Sequence, residues 1–233
     1  MNELAEAFRT ALRLILEFDP ELVEIVALTL RVSGTALLIA GALGLPLGAA
    51  LGIARFPGRR AVVAVLNALM GLPPVVVGLL VYLALSRAGP LGGLGWLFTP
   101  KAMVIAQCVI ITPLVAALAL QVMEDLWEEY GELLRSLGSG ALRAIPTLLY
   151  EGRFALLTVL LAGFGRAIAE VGAVIVVGGN IAHVTRVMTT AIALETSRGD
   201  LPLALGLGIL LLLTALAINC AAEVVRGWTR RAV

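Results

Sequence analysis

The sequence predicts an all-α membrane protein with five transmembrane helices and one further amphipathic helix at the N-terminus. Of its 233 residues, 60% are hydrophobic and only 14% are charged, and its mean hydropathy is +1.02. A soluble domain usually has about 25% charged residues, so this chain has too little polar surface to cover a water-soluble globule. Because its apolar stretches extend from end to end, we interpret 1–233 as one transmembrane domain.

Other features of the composition exclude several classes of function. The formal net charge is +1 and no basic block occurs, which argues against a nucleic-acid partner. Cys108 and Cys220 both lie in apolar stretches, so no disulfide framework is expected. His183 is the only histidine, so a histidine-based metal site is excluded. No GxxxxGK[ST] motif for nucleotide phosphates is present, and any ATP that drives this protein must bind to another chain.

Five segments are long and apolar enough to span a bilayer as helices. A spanning helix needs about 20 mostly apolar residues, because the hydrocarbon core is about 30 Å thick. The segments cover residues 22–54, 61–85, 102–123, 154–177 and 201–225. None shows the alternation of a barrel strand, which is the other structure able to cross a membrane.

The basic residues predict how these spans are oriented. Alternating the connections places nine arginines on one side, including those of the RFPGRR turn and the WTRRAV tail, and six basic residues on the other. Cytoplasmic loops carry the excess of Lys and Arg. We therefore expect a multi-pass membrane protein with its N-terminus outside and its C-terminus in the cytoplasm.

The segment 1–18 precedes the first span and has the pattern of an amphipathic helix. Its apolar face is formed by Leu4, Phe8, Leu12 and Ile15, with Ala11, and its polar face by Glu6, Arg9, Arg13 and Glu17. Such a helix is too polar to cross the bilayer and suits the membrane interface. Packing on a partner subunit is the alternative, and the sequence leaves both open.

The connection 124–153, between the third and fourth spans, is predicted to be a cytoplasmic coupling loop. Most connections between helices have about 2–8 residues, and longer ones tend to be functional. We expect one short helix over 132–137, with Gly138 as its stop. A second should run over 140–144 and end at Pro146. Short helices on the cytoplasmic surface would offer rigid ridges to a soluble partner.

Two stretches resemble a known family. ELLRSLG, in which Glu132 and Gly138 are six positions apart, resembles the start of the EAA loop of ABC importer permeases, although Leu133 and Leu134 replace the usual alanines. The run AGFGRAIAEVGA and the GGN that follows closely resemble the tungstate-type branch of the molybdate/tungstate/sulfate permeases. This resemblance covers at least residues 128–200, and the five-span plan extends it to nearly the whole chain. It implies the type I ABC importer permease fold and a place in the cell (inner) membrane.

The same resemblance implies a function and a set of partners. Two copies would form a homodimeric pore, each docking an ATP-binding cassette ATPase through Glu132, Arg135 and Gly138, while an extracytoplasmic binding protein delivers an oxyanion. Tungstate is the first choice of substrate, followed by molybdate and sulfate. This chain would bind no cofactor, since ATP and Mg belong to the partner ATPase. The alternatives are a secondary anion transporter, for which we find no internal repeats, and a non-transporting membrane scaffold.

Arg166 and Glu170 are ionisable residues inside the fourth predicted span. A charge near the bilayer centre costs about 2.5–3.5 kcal/mol on insertion scales, so both must face protein or water. Four positions apart on a continuous helix, they would share a face and pair. The pair either locks this span to its neighbours or lines the pore. We favour the lock, because an unpaired acid beside the path would repel an anion.

The segment 178–200 is polar although it lies between two spans. Asn180, Thr189 and Thr190 supply an amide and two hydroxyls, neutral groups able to bind a tetrahedral oxyanion without trapping it. These residues are therefore a candidate oxyanion path. The alternative is a re-entrant or interfacial loop whose hydroxyls bond to their own backbone, and the sequence leaves both open.

Overall fold

The computed structural model of the protein describes residues 2–231, and every regular element in that part of the chain is a helix. The α-helices are α1 (Asn2–Leu16), α2 (Pro20–Ile53), α3 (Arg59–Met70), α4 (Pro74–Leu85), α5 (Pro100–Ser136), α6 (Ala141–Glu151), α7 (Arg153–Ile168), α8 (Gly172–Gly178), α9 (Met188–Arg198) and α10 (Leu201–Arg231). A short 3-10 helix, Gly92–Leu94, lies between α4 and α5. The all-α prediction from hydropathy is confirmed.

Three helices are long and apolar enough to cross a bilayer by themselves, namely α2, α5 and the stretch Leu201–Ala221 of α10. Two pairs, α3 with α4 and α6 with α7, meet the same criteria only if each pair forms one bent span. The described residues therefore contain three to five candidate spans. The count of five stays a prediction.

The second predicted span consists of two helices. The first of them, α3, ends at Met70, and the N–H of Gly71 bonds to the carbonyl of Ala68 at 3.1 Å. Its successor, α4, begins at Pro74. Two consecutive prolines lack N–H donors, and proline is favoured in the first turn of a helix. The sequence Pro73-Pro74 therefore stops one helix and starts the next.

The fourth predicted span, 154–177, is also interrupted. The helix α7 ends at Ile168, and α8 does not begin until Gly172. The carboxylate of Glu170 accepts a hydrogen bond from the N–H of Ala173 at 3.2 Å. It thereby satisfies one of the backbone donors that a helix N-terminus leaves without an intrahelical partner. Hydropathy did not reveal this break because the residues on both sides of it are apolar.

The chain divides into two compact units. The first contains Pro73–Gln107 and Ala167–Ala217 together with the chain up to Ala36. The second contains Leu37–Leu72 and Cys108–Arg166 together with the chain from Ile218.

In the second unit, glycines allow α2 to approach α5 at backbone distance. A Cβ atom on Gly48 would lie 2.4 Å from the carbonyl oxygen of Ala116, and one on Gly52 would lie 2.9 Å from that of Leu120. Any side chain at these positions would force the helices apart. The run of small residues on α2 therefore serves close helix packing, the role such residues have in membranes.

In the first unit, α1 packs through its alanines rather than through its large apolar side chains. Ala7 and Ala11 are buried, whereas Phe8 and Leu12 are 46% and 48% exposed. Ala11 approaches α10 where a Cβ on Gly206 would lie 3.7 Å from its carbonyl oxygen. Of the predicted apolar face, Phe8 and Leu12 thus remain available for lipid or a partner, whereas Ile15 is half-buried. The side chain of Leu4 lies outside the described part.

Candidate functional site

The end of α5 carries the residues predicted to couple the protein to an ATPase. Glu132 and Arg135 lie in its last two turns, and both are exposed. The separate short helix expected over 132–137 is wrong, because α5 continues unbroken from Pro100 to Ser136. These residues therefore sit on a rigid extension of a long helix and not on an isolated loop helix.

Gly138 ends this helix in the left-handed conformation, with φ +77°. The N–H of Ser139 bonds to the carbonyl of Leu134 at 2.9 Å, and the N–H of Gly138 bonds to that of Arg135 at 3.0 Å. This pair of bonds is the Schellman motif, which favours glycine because other L residues rarely adopt its backbone angles. The predicted stop at Gly138 is confirmed.

Arg135 is held in place along the surface of α5. Its Nε donates to the carbonyl of Gly131 at 2.9 Å, and its guanidinium carbon lies 5.5 Å from the centre of the Trp127 ring. The ring in turn lies over Gly131, where a Cβ would be 3.1 Å from the indole. Arg135 and Glu132 contribute to a cavity of about 600 Å³ that is also lined by Arg55 and Glu128. Its mixed charges suit a polar protein surface.

The second helix of this segment, α6, is longer than predicted. It begins after Gly140, continues through Pro146 and ends at Glu151, so the stop expected at Pro146 is wrong. Burial explains its length, because Ala144 and Leu148 belong to the same core cluster as Ile53 and Met123. The opposite face remains exposed, and α7 follows at an angle of 75°.

Arg59 is a residue whose role the sequence analysis missed. It was counted only as part of a basic turn, but its Nε donates to the carbonyl of Leu51 at 2.8 Å and its Nη2 pairs with the carboxylate of Glu124. The Arg59 side chain is only 14% exposed. It therefore joins the end of α2, the start of α3 and α5. No local signal indicates the pair, since its members are 65 positions apart.

The predicted pair Arg166 and Glu170 does not lie on one continuous helix. Arg166 is half-buried in the last turn of α7, whereas Glu170 is buried beyond the end of that helix. The spacing argument for a shared helical face therefore does not apply. Their pairing stays a prediction.

Glu170 connects three parts of the first unit. Its carboxylate caps α8 through Ala173, as described above, and its backbone carbonyl accepts a hydrogen bond from the Thr189 hydroxyl of α9 at 2.8 Å. Both Glu170 and Thr189 are buried. Two of the candidate residues, which the sequence analysis had assigned to different groups, are thus brought into direct contact.

Gln107 supports the same break from α5. Its Nε2 donates to the carbonyl of Ala167 at 3.0 Å, a carbonyl in the last turn of α7 that also accepts a hydrogen bond from the N–H of Glu170 at 3.2 Å. The Gln107 side chain is buried, and its Oε1 has no hydrogen-bond partner within the described residues. An amide in an apolar span is expected to form an interhelical hydrogen bond, and Gln107 forms one here.

The remaining candidate residues bond mainly to nearby backbone. Thr190 is fully buried, and its hydroxyl lies 3.1 Å from the carbonyl of Val187 and 3.2 Å from its N–H. Asn180 has φ +50°, and its Nδ2 donates to the carbonyl of Thr190 at 3.2 Å. The Asn180 Oδ1 is buried and has no partner in the part of the chain that the structure describes. This pattern matches the alternative in which the polar groups stabilise their own loop.

The charged residues near this segment form ion pairs. Arg186 Nη1 lies 3.1 Å from a carboxylate oxygen of Glu21 and 3.8 Å from one of Glu195. Arg198 also contacts Glu195, at 3.2 Å. Both arginines, which supply positive charge beside the candidate path, are thus largely neutralised by carboxylates. The contacts attach the segment before α9 to the first turn of α2.

Comparison with known proteins places the chain among transport proteins. It is 43% identical to the tungstate uptake system permease protein TupB of Peptoclostridium acidaminophilum, over 94% of this chain and 96% of that protein. It is 39% identical to a probable anion ABC transporter permease protein of Haloferax volcanii, over 85% and 88% of the two chains. It is also 35% identical to the TupB of Campylobacter jejuni, over 94% and 92%. No family model matches the chain.

More distant similarity extends to permeases named for other anions. The molybdenum transport system permease protein ModB of Escherichia coli is 29% identical over 78% of this chain. The sulfate transport system permease protein CysT of Salmonella typhimurium is 28% identical over 86% of it. The relatives and the apolar helices together indicate a protein of the cell membrane. The chain belongs to the family of ABC transporter permeases that contains the tungstate uptake permeases and, more distantly, those for molybdenum and sulfate.

Proposed function

We propose that this protein is the permease subunit of a tungstate importer, with molybdate and then sulfate as the alternative substrates. The observation that carries the proposal is the 43% identity, over almost the whole of both chains, to a permease named for tungstate uptake. Two copies form the translocation pore. An extracytoplasmic binding protein delivers the anion, and a separate ATP-binding cassette ATPase, with its own ATP and Mg, drives transport.

Coupling to the ATPase occurs through the end of α5 and through α6. Three observations support this assignment: the exposed Glu132, the orientation of Arg135 by Trp127, and the sharp turn at Gly138. The buried face of α6 packs on the cluster that contains Ile53 and Met123. A force applied to α6 by a moving ATPase would therefore be transmitted directly to α2 and α5.

The anion path includes the polar segment around the break between α7 and α8. In the present conformation the Thr189 hydroxyl is committed to the Glu170 carbonyl, and the Thr190 hydroxyl to Val187. We propose that Thr189 exchanges its bond for one to an oxyanion oxygen when the pore changes state, and that Asn180 and Thr190 shape the adjacent wall. Arg166 and Glu170 form the lock that holds the broken helix.

Topology completes the proposal. Each bent pair forms one span, so the protein has five spans. The helix α1 lies in the membrane interface on the extracytoplasmic side, and its Phe8 and Leu12 face lipid. Their exposure beside the buried Ala7 and Ala11 supports this placement.

Competition between anions tests the substrate assignment. Uptake of labelled tungstate by the complete transporter in proteoliposomes should be inhibited most by unlabelled tungstate, less by molybdate and least by sulfate. A transporter inhibited most strongly by sulfate would refute tungstate as the substrate and leave the rest of the proposal standing. A secondary anion carrier, the alternative class, would transport without any ATPase.

A further inference from the structure

A large apolar groove lies on the surface of the second unit. It has a volume of about 720 Å³ and is lined by α2, α6 and α7. Its size falls in the range of about 300–1,000 Å³ that is usual for small-molecule sites. Eleven of its twelve lining residues are uncharged and apolar, and the twelfth is Arg153.

The groove is elongated along α2 and α7. Its α7 side runs from Arg153 to Leu160, and its α2 side from Leu37 to Pro46. At about 1.5 Å per residue these stretches measure roughly 10–14 Å, close to the thickness of one leaflet of a hydrocarbon core of about 30 Å. The floor is closed where α2 and α7 meet, since a Cβ on Gly41 would lie 2.9 Å from Leu160.

Arg153 lies at one end of the groove, in a setting typical of the membrane interface. Its guanidinium carbon is 4.3 Å from the ring centre of Tyr150 and 4.8 Å from that of Phe154. Tyr150 is 67% exposed, and tyrosines concentrate at the level of the lipid headgroups. Arg153 begins α7, directly after the segment that we assign to the cytoplasmic side.

No carboxylate in the part of the chain that the structure describes neutralises the charge of Arg153. Its Nη1 donates to the carbonyl of Tyr150 at 2.8 Å, and within residues 2–231 no carboxylate forms an ion pair with it. A guanidinium has five N–H donors and binds phosphate well. The aromatic rings fix the orientation of the group but do not compensate its charge.

From these observations we propose that the groove is a binding site for one anionic phospholipid of the cytoplasmic leaflet. One acyl chain occupies the apolar channel between α2 and α7, and the phosphate binds Arg153. Basic sites between transmembrane helices on the cytoplasmic side commonly hold anionic lipid headgroups. A second copy of the chain would present an apolar helix to the groove and leave Arg153 without an anion. The proposal rests on the proposed orientation, with the Arg153 end of the groove on the cytoplasmic side, and is independent of the transported anion.

A lipid bound in the groove would also affect α6. Leu149 lines the groove and also packs against the core cluster that contains the buried Leu148. A bound acyl chain would therefore contact α6 next to the cluster that holds it in place. If α6 docks the ATPase as proposed above, anionic lipid should increase the coupling of ATP hydrolysis to transport.

Native mass spectrometry of the full-length protein tests the site. The protein is equilibrated with equimolar phosphatidylglycerol and phosphatidylcholine, and the lipids that stay bound are identified. The wild type should retain phosphatidylglycerol preferentially. Arg153→Gln should lower this preference about fivefold, the effect expected for one basic residue near an anionic headgroup. Arg143→Gln, the matched control, removes an exposed arginine of α6 that does not line the groove, and the preference should persist.

A second variant removes the channel and keeps the charge. Ala42→Phe fills the groove and should reduce retention of both lipids at this site although Arg153 is present. Equal preference in the wild type and Arg153→Gln would overturn the proposal, as would an equal loss in Arg153→Gln and Arg143→Gln. Efficient disulfide formation between two copies through Leu157→Cys, in a background lacking Cys108 and Cys220, would show that protein covers the groove and would also overturn it.

Discussion

The hydroxyl of Thr189 donates a hydrogen bond of 2.8 Å to the backbone carbonyl of Glu170. This bond joins α9 to the interruption between α7 and α8, and both partners are buried. Since the Glu170 carboxylate also caps α8, one residue uses its backbone and its side chain to organise the break. A break held by a few specific hydrogen bonds has a defined geometry. Single substitutions that remove one of these bonds should therefore lower the stability of the protein measurably.

Replacing Thr189 by valine should destabilise the protein. The change keeps the shape of the side chain but leaves the Glu170 carbonyl without its donor, which costs about 1–3 kcal/mol for a buried group. Unfolding in detergent, followed by circular dichroism, measures the loss. Thr189→Ser should retain most of the stability. Thr196→Val is the control, because its exposed hydroxyl bonds only within its own helix; an equal loss there would contradict the account.

Arg166 and Glu170 can be assigned to a lock or to the pore by a double substitution. If they pair, removing Arg166 leaves Glu170 buried and uncompensated, at a cost on the order of 3–5 kcal/mol, and removing Glu170 leaves the half-buried Arg166 without its partner. Arg166→Met combined with Glu170→Gln should then recover much of the stability, and Gln keeps an oxygen able to cap α8. Dimer stability and oxyanion uptake are measured on both singles and the double. Recovered stability without uptake would assign Arg166 to the anion path instead.

Gly138→Val should insert normally and lose substrate-stimulated ATP hydrolysis. Valine at φ +77° is strained, because the left-handed conformation brings the Cβ of an L residue too close to the following carbonyl oxygen. The turn after α5 should therefore shift and displace Glu132 and Arg135. Gly138→Asn is the informative control, since asparagine tolerates the left-handed region and no atom lies within 4 Å of an added Cβ. Normal coupling in Gly138→Val, or equal loss in both variants, would argue against the turn geometry as the cause.

The contact of Arg59 with Leu51 and Glu124 should be important for stability. Arg59→Met removes hydrogen bonds to a backbone carbonyl and a carboxylate, and charged hydrogen bonds contribute about 1.5–3 kcal/mol each. Arg59→Lys should rescue only part of the loss, because an ammonium cannot reproduce the planar fork of the guanidinium. Arg60→Gln, an exposed neighbour, serves as the control in thermal unfolding. Equal melting temperatures for Arg59→Met and Arg60→Gln would refute the assignment.

Accessibility of introduced cysteines tests the five-span topology. In a background lacking Cys108 and Cys220, cysteines at Glu6 and Thr229 should be labelled from opposite faces of the membrane. Labelling from the same face would mean that one of the bent helix pairs does not cross the bilayer, or that α1 does.

Hydropathy predicted the long helices well because continuous apolar stretches have few alternatives in a membrane. It located α2, α5 and α10 to within a few residues at their N-termini. It did not predict that α5 continues beyond Met123 to Ser136, because the acidic residues there end the apolar stretch. Glu, Leu and Arg nevertheless have high helix propensity, which favours an exposed helix. The stop at Gly138 was predictable because the requirement for a left-handed residue is local.

The contacts within the candidate site were less accessible to sequence reasoning. Thr189 and Glu170 are 19 positions apart, and Gln107 and Ala167 are 60 apart. Each bond involves a backbone carbonyl, which every residue has, so no residue type marks the partner. The family resemblance of the AGFGRAIAEVGA run indicated the right region, and only the fold shows that its glutamate lies in a break between helices.

Reconstituted uptake is the most direct test of the central claim that this chain is the permease of an ATP-driven oxyanion importer. The protein is placed in liposomes with its ATPase and supplied with the binding protein outside and ATP inside. Tungstate should accumulate only when all three proteins and ATP are present, and Gly138→Val should abolish accumulation. Accumulation driven by an ion gradient in liposomes that contain this chain alone would contradict the account.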